Sequence, residues 1–183
     1  MIETERLVLR PWRADDRAPF AALNADPRVM EHFPETLTRA ASDAMVERME
    51  AGWREHGFCF GAIERKSDGV FVGMAGLARV PFQAPFTPAV EIGWRLAQAH
   101  WRMGYASEAA RAWLEYGFMV LGLSEIVSFT TTTNLRSQAV MQRIGMQRDP
   151  GRDFEHPGVE RGHPLRPHVL YALGREAWVA AER

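Results

Sequence analysis

The sequence predicts an α/β (α+β) domain, with a mixed central β-sheet of about six to seven strands and helices packed on both faces. Three observations point there. β-rich and helix-periodic segments alternate along the chain. Residues 91–113 read as strand, donor-rich turn and helix. Finally, 46% apolar and 25% charged residues is the balance of an ordinary globular protein. At 183 residues the chain fits one domain, spanning 1–183.

Taken in order, residues 4–12 form a first strand, with Leu7 and Leu9 on one face and Pro11 placing its end near a sheet edge. Asp15 or Asp16 caps a short helix that runs to Asn24 and breaks at Asp26-Pro27. A helix over residues 39–56 is capped by Thr36 or Thr38 and stopped by Gly57; its Met45, Met49 and Trp53 stripe reads as core. Strands 58–64 and 70–80 are joined by the hairpin signal Ser67-Asp68-Gly69. In the proline-rich loop 81–88, Phe82 and Phe86 either cover core or touch a substrate. Strand 91–96 contains Gly93, which marks a bulge or a close ligand approach. The helix that follows Gly104 buries Ala106, Ala109, Ala110, Trp113 and Gly117, and sets Glu108, Arg111 and Glu115 outward to pair with one another. Strand 125–131 leads to a helix that Asn134 caps and Gly145 ends. Residues 149–167 read as loop, and strand 168–173 returns to the sheet.

Composition excludes several functions. A net charge of −1 and interspersed signs lack the basic footprint of a nucleic-acid binder. The single Cys59, between two phenylalanines, allows no internal disulfide or cysteine-rich zinc site and reads as a small core residue. The acidic N-terminus does not resemble a signal peptide and no apolar run reaches membrane length, so cytoplasmic residence is expected. His156, His163 and His168 match no helical ligand spacing, so no metal is expected and they read as loop packing. Trp12, Trp53, Trp113 and Trp178 read as core or interface residues.

The turn before the third long helix is the chemical focus. A helix N-terminus carries unpaired N–H groups and roughly half a positive charge, so it attracts phosphate. Gly104 and Ala106 put no bulk between those amides and an anion. A Walker A loop is excluded by the absence of Gly-Lys-Ser/Thr, and a dinucleotide fingerprint by the single glycine.

From residues 4–10 through Glu91-Ile92-Gly93-Trp94 to His168-Val169-Leu170-Tyr171, the chain resembles the Gcn5-related N-acetyltransferase (GNAT) superfamily, closest to its ribosomal-protein-alanine acetyltransferase branch. The family turn of Gln or Arg, two residues, Gly, one residue, then Gly or Ala falls on Trp101-Arg102-Met103-Gly104-Tyr105-Ala106, with Trp101 departing from it. The resemblance implies an acetyl-CoA-dependent N-acetyltransferase with a splayed central sheet, and a possible homodimer. It assigns the pyrophosphate to backbone N–H groups around Arg102, Met103, Gly104, Tyr105, Ala106 and Ser107, and the pantetheine arm to Trp94, Leu96 and Asn134. Acceptor candidates are a protein N-terminus, a polyamine-like or antibiotic amine, or an amino-acid analogue.

The chemistry requires a deprotonated amine, an oxyanion stabiliser and a protonated thiol leaving group. Glu91, an ionisable residue in an apolar strand, is the candidate base, or else it is a solvent-facing strand residue. Many family members carry a Tyr acid where this chain has Met141. Ser137, three residues after Asn134 as in the ribosomal branch, is assigned to thiol protonation or positioning, with an ordinary helix-terminal Ser as the alternative. Without the Tyr, a non-catalytic acyl-CoA-sensing module of the same fold competes with the enzyme.

Overall fold

The computed structural model describes residues 1–181. Its sheet has nine strands, more than expected because several are only two residues long. They are β1 (Ile2–Glu3), β2 (Leu7–Arg10), β3 (Gly61–Arg65), β4 (Phe71–Arg79), β5 (Val90–Leu96), β6 (Glu125–Thr131), β7 (Gln147–Arg148), β8 (Phe154–Glu155) and β9 (Pro167–Gly174). Their order is β1-β2-β3-β4-β5-β6-β9-β7, with β8 also on β9. The helices are α1 (Arg17–Ala25), α2 (Arg39–His56), α3 (Tyr105–Glu115), α4 (Leu135–Arg143) and α5 (Arg175–Ala181).

Helices pack on both faces. On one, Ala109, Ala110, Trp113 and Leu114 of α3 meet Leu77, Ile92 and Ile126 of the sheet, with Met141 and Trp178 alongside. On the other, Phe20 and Leu23 of α1 and Val46 and Met49 of α2 cover Ala62, Met74 and Ala78. Cys59 joins this second cluster, where burial pushes its thiol pKa up, as suits an inert core residue. Trp12, Trp113 and Trp178 are buried, as expected.

Local signals set α2 accurately: Thr38 accepts from the Ala41 N–H, and Gly57 ends the helix at φ 77°. Elsewhere long-range contacts override the local reading. The strand expected over 4–12 shortens to Leu7–Arg10, because Thr4 turns the chain by bonding Leu7 and also donates to Glu108. Asp16 does not cap α1 with its side chain; the carboxylate accepts from the Arg13 N–H at the start of the preceding 3-10 turn and pairs with buried Arg10. β3 begins at Gly61 because the Trp12 and Trp53 indoles both donate to the Phe60 carbonyl, removing it from the ladder. The 149–167 loop contains β8, which pairs with the start of β9. Phe82 and Phe86 cover core, packing with Phe129 and Phe154. The expected Glu108–Arg111 pairing gives way to tertiary contacts, Glu108 binding Arg6 and Arg111 the Arg143 carbonyl.

Candidate active site

The centre of the sheet is where two strands part. β5 pairs with β4 over its whole length, but with β6, its parallel neighbour, it shares only the bridge Glu91↔Val127. The Ser128 hydroxyl donates to the Ile92 carbonyl just beyond the bridge, and then the strands diverge. Gly93 is not a bulge, since its register with Gly76 is regular. It is small because a Cβ there would come within 3.1 Å of the Phe60 ring. The Ile92 and Leu96 carbonyls face away from β4, receiving Ser128 Oγ and the Trp101 indole, so alternation turns the Trp94 N–H and carbonyl into the same gap. The Leu96 carbonyl is thereby occupied, which leaves the Trp94 N–H and carbonyl and the Leu96 N–H facing the gap.

A cleft of about 960 Å³ runs through the gap. At one end lies the N-terminus of α3, where Gly104 is the N-cap at φ 82° and no side chain caps the helix. The amides of Tyr105, Ala106 and Ser107 open the helix there. Tyr105 buries its ring, so it offers the site only its backbone, and Met103 is exposed. Arg6, Arg102, Arg111 and Arg143 converge on Gly104 and Ser107 around a recess. Arg143 donates to Ser107 Oγ and Arg111 to the Arg143 carbonyl, whereas Arg6 pairs with Glu108. Sequence reading found Arg102 but missed the other three, which come from the β1–β2 turn, α3 and α4. These amides and guanidiniums fit the phosphates of a coenzyme A thioester.

Asn134 and Ser137 flank the gap from α4. Asn134 accepts from the Ser137 N–H as the helix cap, and its amide donates to Thr130 Oγ1 at 2.9 Å and Ser137 Oγ at 3.2 Å. The cap is therefore as expected, but holding a pantetheine arm with this side-chain amide would require giving up one of these bonds. Because the Ser137 oxygen accepts from Asn134, its own proton is free to point elsewhere. Met141 is 1% exposed, so the cleft wall carries a thioether where a phenol was looked for.

The opposite face of β5 forms the other half of the cleft. Glu91 lines it, with no protein hydrogen-bond partner among the described residues, and burial pushes its carboxyl up to about 8. Around it stand Phe60, Phe129, His156 and His168, with Val29, His32 and Phe33 from the α1–α2 connection. His156 and His168 have ring centroids 5.0 Å apart and burial lowers both pKa values, that of His156 to about 4. These two histidines line the site rather than merely packing a loop; His163 instead accepts from the Leu165 N–H. Arg95, two residues beyond Gly93, is buried, lines the same cleft and was not singled out from sequence.

The acetyltransferase (GNAT) domain family matches residues 6–147. The chain belongs to this family. Among the relatives of this chain is the FsC-acetyl coenzyme A-N(2)-transacetylase of Aspergillus fumigatus, 32% identical over 100% of this chain and 79% of that one. Another is the uncharacterized N-acetyltransferase YnaD of Bacillus subtilis, 30% identical over 97% of this chain and 98% of that one. A GNAT-family acetyltransferase structure from Bacillus anthracis aligns at 26% identity and a TM-score of 0.78, covering 96% and 98% of the two chains. The family uses acetyl-CoA, which agrees with the anion-binding end of the cleft. No group of metal-ligating side chains occurs among the described residues, and no described helix is long and apolar enough to cross a membrane.

A stability prediction arises from Glu91. Its folded pKa of about 8 lies above the ordinary 4.5, so the folded state holds the proton more tightly. The stability this contributes is complete below about pH 4.5 and is lost as pH rises through 8. Glu91→Gln cannot ionise and should gain thermal stability relative to wild type as pH is raised from 5 to 9. Parallel melting curves that keep a constant gap over that range would show a carboxyl that ionises normally.

Proposed function

We propose that the protein transfers the acetyl group of acetyl-CoA to a primary amine by direct attack in a ternary complex. The observation that carries this reading is the parting of β5 and β6, which sets the free Trp94 N–H between an arginine-lined helix N-terminus and the isolated Glu91 carboxyl. Glu91, directly or through one water, takes the proton of the entering ammonium. In a cleft this apolar, a neutral carboxyl and free amine are favoured over an ion pair. The amine nitrogen then bonds to the thioester carbon. The Trp94 N–H meets the charge developing on oxygen, and the sulfur leaves with its electron pair. We assign Ser137 to protonating or orienting that sulfur, so that the proton shed by the acylated nitrogen ends on the thiol.

Residues 1–183 are read as one N-acetyltransferase domain, because β9, beyond the family match, pairs along all of β6. We place it in the cytoplasm on composition alone. Ser137 three residues after Asn134 supports the ribosomal-protein branch, while both a protein N-terminus and a small-molecule amine stay open as acceptor. The buried Met141 supports the competing reading of an acyl-CoA sensor.

Incubation with labelled acetyl-CoA and either a proteome or a metabolite pool, followed by mass spectrometry, tests the proposal. A labelled N-acetyl product is expected, and its class decides between a protein and a small-molecule acceptor. Acetyl-CoA binding with no coenzyme A release from any amine would establish the sensor instead. Once an acceptor is in hand, Ser137→Ala should lower kcat about ten- to a hundredfold while leaving the KM for acetyl-CoA unchanged. Unaltered turnover in that variant would reduce Ser137 to a helix-terminal residue.

A further inference from the structure

We infer that the acceptor amine carries a carboxylate and that Arg95 receives it. The inference rests on the acetyltransferase reading and narrows it to a substrate class.

Arg95 is 8% exposed, lines the cleft and has no carboxylate partner among the described residues. Its Nη1 donates to Asn24 Oδ1 at 2.6 Å. Asn24 is itself fully buried and oriented by donating to Ser42 Oγ at 2.9 Å, so that acceptor is fixed. The Phe33 ring covers one face of the guanidinium at 4.1 Å. What remains is the end of the fork. Nε is enclosed and has no hydrogen-bond partner, whereas Nη2 is not enclosed and has no protein acceptor among the described residues. Nη2, with the second N–H of Nη1 beside it, is the end of the guanidinium that a ligand carboxylate can meet. A buried, uncompensated cation is costly, and here desolvation lowers its pKa to about 10. A bound carboxylate supplies the missing counter-charge and a hydrogen-bond acceptor for Nη2.

The rest of the lining agrees. Glu91 is its one carboxylate, and the nearby histidines have pKa values lowered by burial, so a polycation would find a single anionic partner. Glu91 and Arg95 lie on the same face of β5, four residues apart, about 13 Å between Cα atoms. Amine and carboxylate at opposite ends of a chain fit that span better than the two groups on one carbon.

The test uses the purified full chain and matched amine pairs: glycine, 4-aminobutyrate, 6-aminohexanoate and lysine, each against its carboxamide. Coenzyme A release gives kcat/KM, and calorimetry with coenzyme A present gives the affinity of each N-acetyl product. Wild type should favour the longer carboxylates at least tenfold over their amides in both measurements. Arg95→Met, which replaces the cation with an apolar chain of similar length, should bring each pair within about twofold at unchanged acetyl-CoA affinity. Arg95→Lys should keep part of the preference. Discrimination in binding with no coenzyme A release would preserve this inference and sink the transferase reading. Equal behaviour of acid and amide in wild type, or an undiminished preference in Arg95→Met, would overturn the inference even if transfer is robust.

Discussion

Gly104→Asp is expected to fold and to lose acetyl-CoA binding by a hundredfold or more. Gly104 is the N-cap of α3 at φ 82°, a left-handed conformation that Asp and Asn tolerate better than other residues with a Cβ. A Cβ there would approach only the end of the Arg6 side chain, at 3.3 Å, and a flexible terminus can move. An aspartate is also a favourable partner for the helix end, so the fold has little reason to suffer. The damage falls on the ligand. The carboxylate would occupy the space in front of the Tyr105, Ala106 and Ser107 amides and pair with Arg6, Arg102, Arg111 or Arg143, the groups proposed to meet the pyrophosphate. Gly104→Asn separates bulk from charge, since it has the same shape and should retain much more affinity. Calorimetry on both variants, with circular dichroism to confirm the fold, decides the matter. Wild-type affinity in folded Gly104→Asp would place the anion elsewhere.

How much of this was legible in the sequence follows from how far apart the interacting residues lie. Thr38, Gly57 and the 67–69 turn are short-range devices, so α2 and the β3–β4 hairpin could be read directly. Gly104 and Asn134 could be found because a helix start is also a local pattern. The shortening of β2 could not, for it depends on Thr4 meeting Glu108 across 104 positions. Nor could the cluster of Arg6, Arg111 and Arg143, which forms only when the β1–β2 turn and α4 come against α3. Gly93 lines the cleft but is no bulge: its smallness accommodates Phe60, while the opening lies on the β6 side and depends on the register at Glu91↔Val127. Arg95 had a usable signal. It shares a strand face with Glu91 and, as an ionisable side chain in an apolar strand, is just as costly unless it has a partner or a role.

Glu91→Gln should lower kcat/KM about a hundredfold near neutral pH and leave acetyl-CoA affinity nearly intact. The pH profile carries the diagnosis. With a carboxyl pKa of about 8 and a lysine-like amine near 10, the reactive wild-type pair is a carboxylate with an ammonium. Its population rises tenfold per pH unit up to about 8, stays level to about 10, and falls above that as the ammonium is lost. The variant can use only amine already deprotonated by solvent, whose population also rises tenfold per unit but continues to rise until about 10. The ratio of the two enzymes should therefore be constant below pH 8 and shrink steadily between 8 and 10. A structural Glu91 would give a loss that does not change with pH. For an α-amine, whose pKa of about 8 coincides with that of the carboxyl, wild-type activity should peak near pH 8 rather than hold level, while the ratio still shrinks from pH 8 upward, so two acceptors provide an internal check. Wild-type activity of Glu91→Gln at pH 7 would remove the carboxylate from the mechanism and leave desolvation of the amine in the Phe60–Phe129 cleft as the activator.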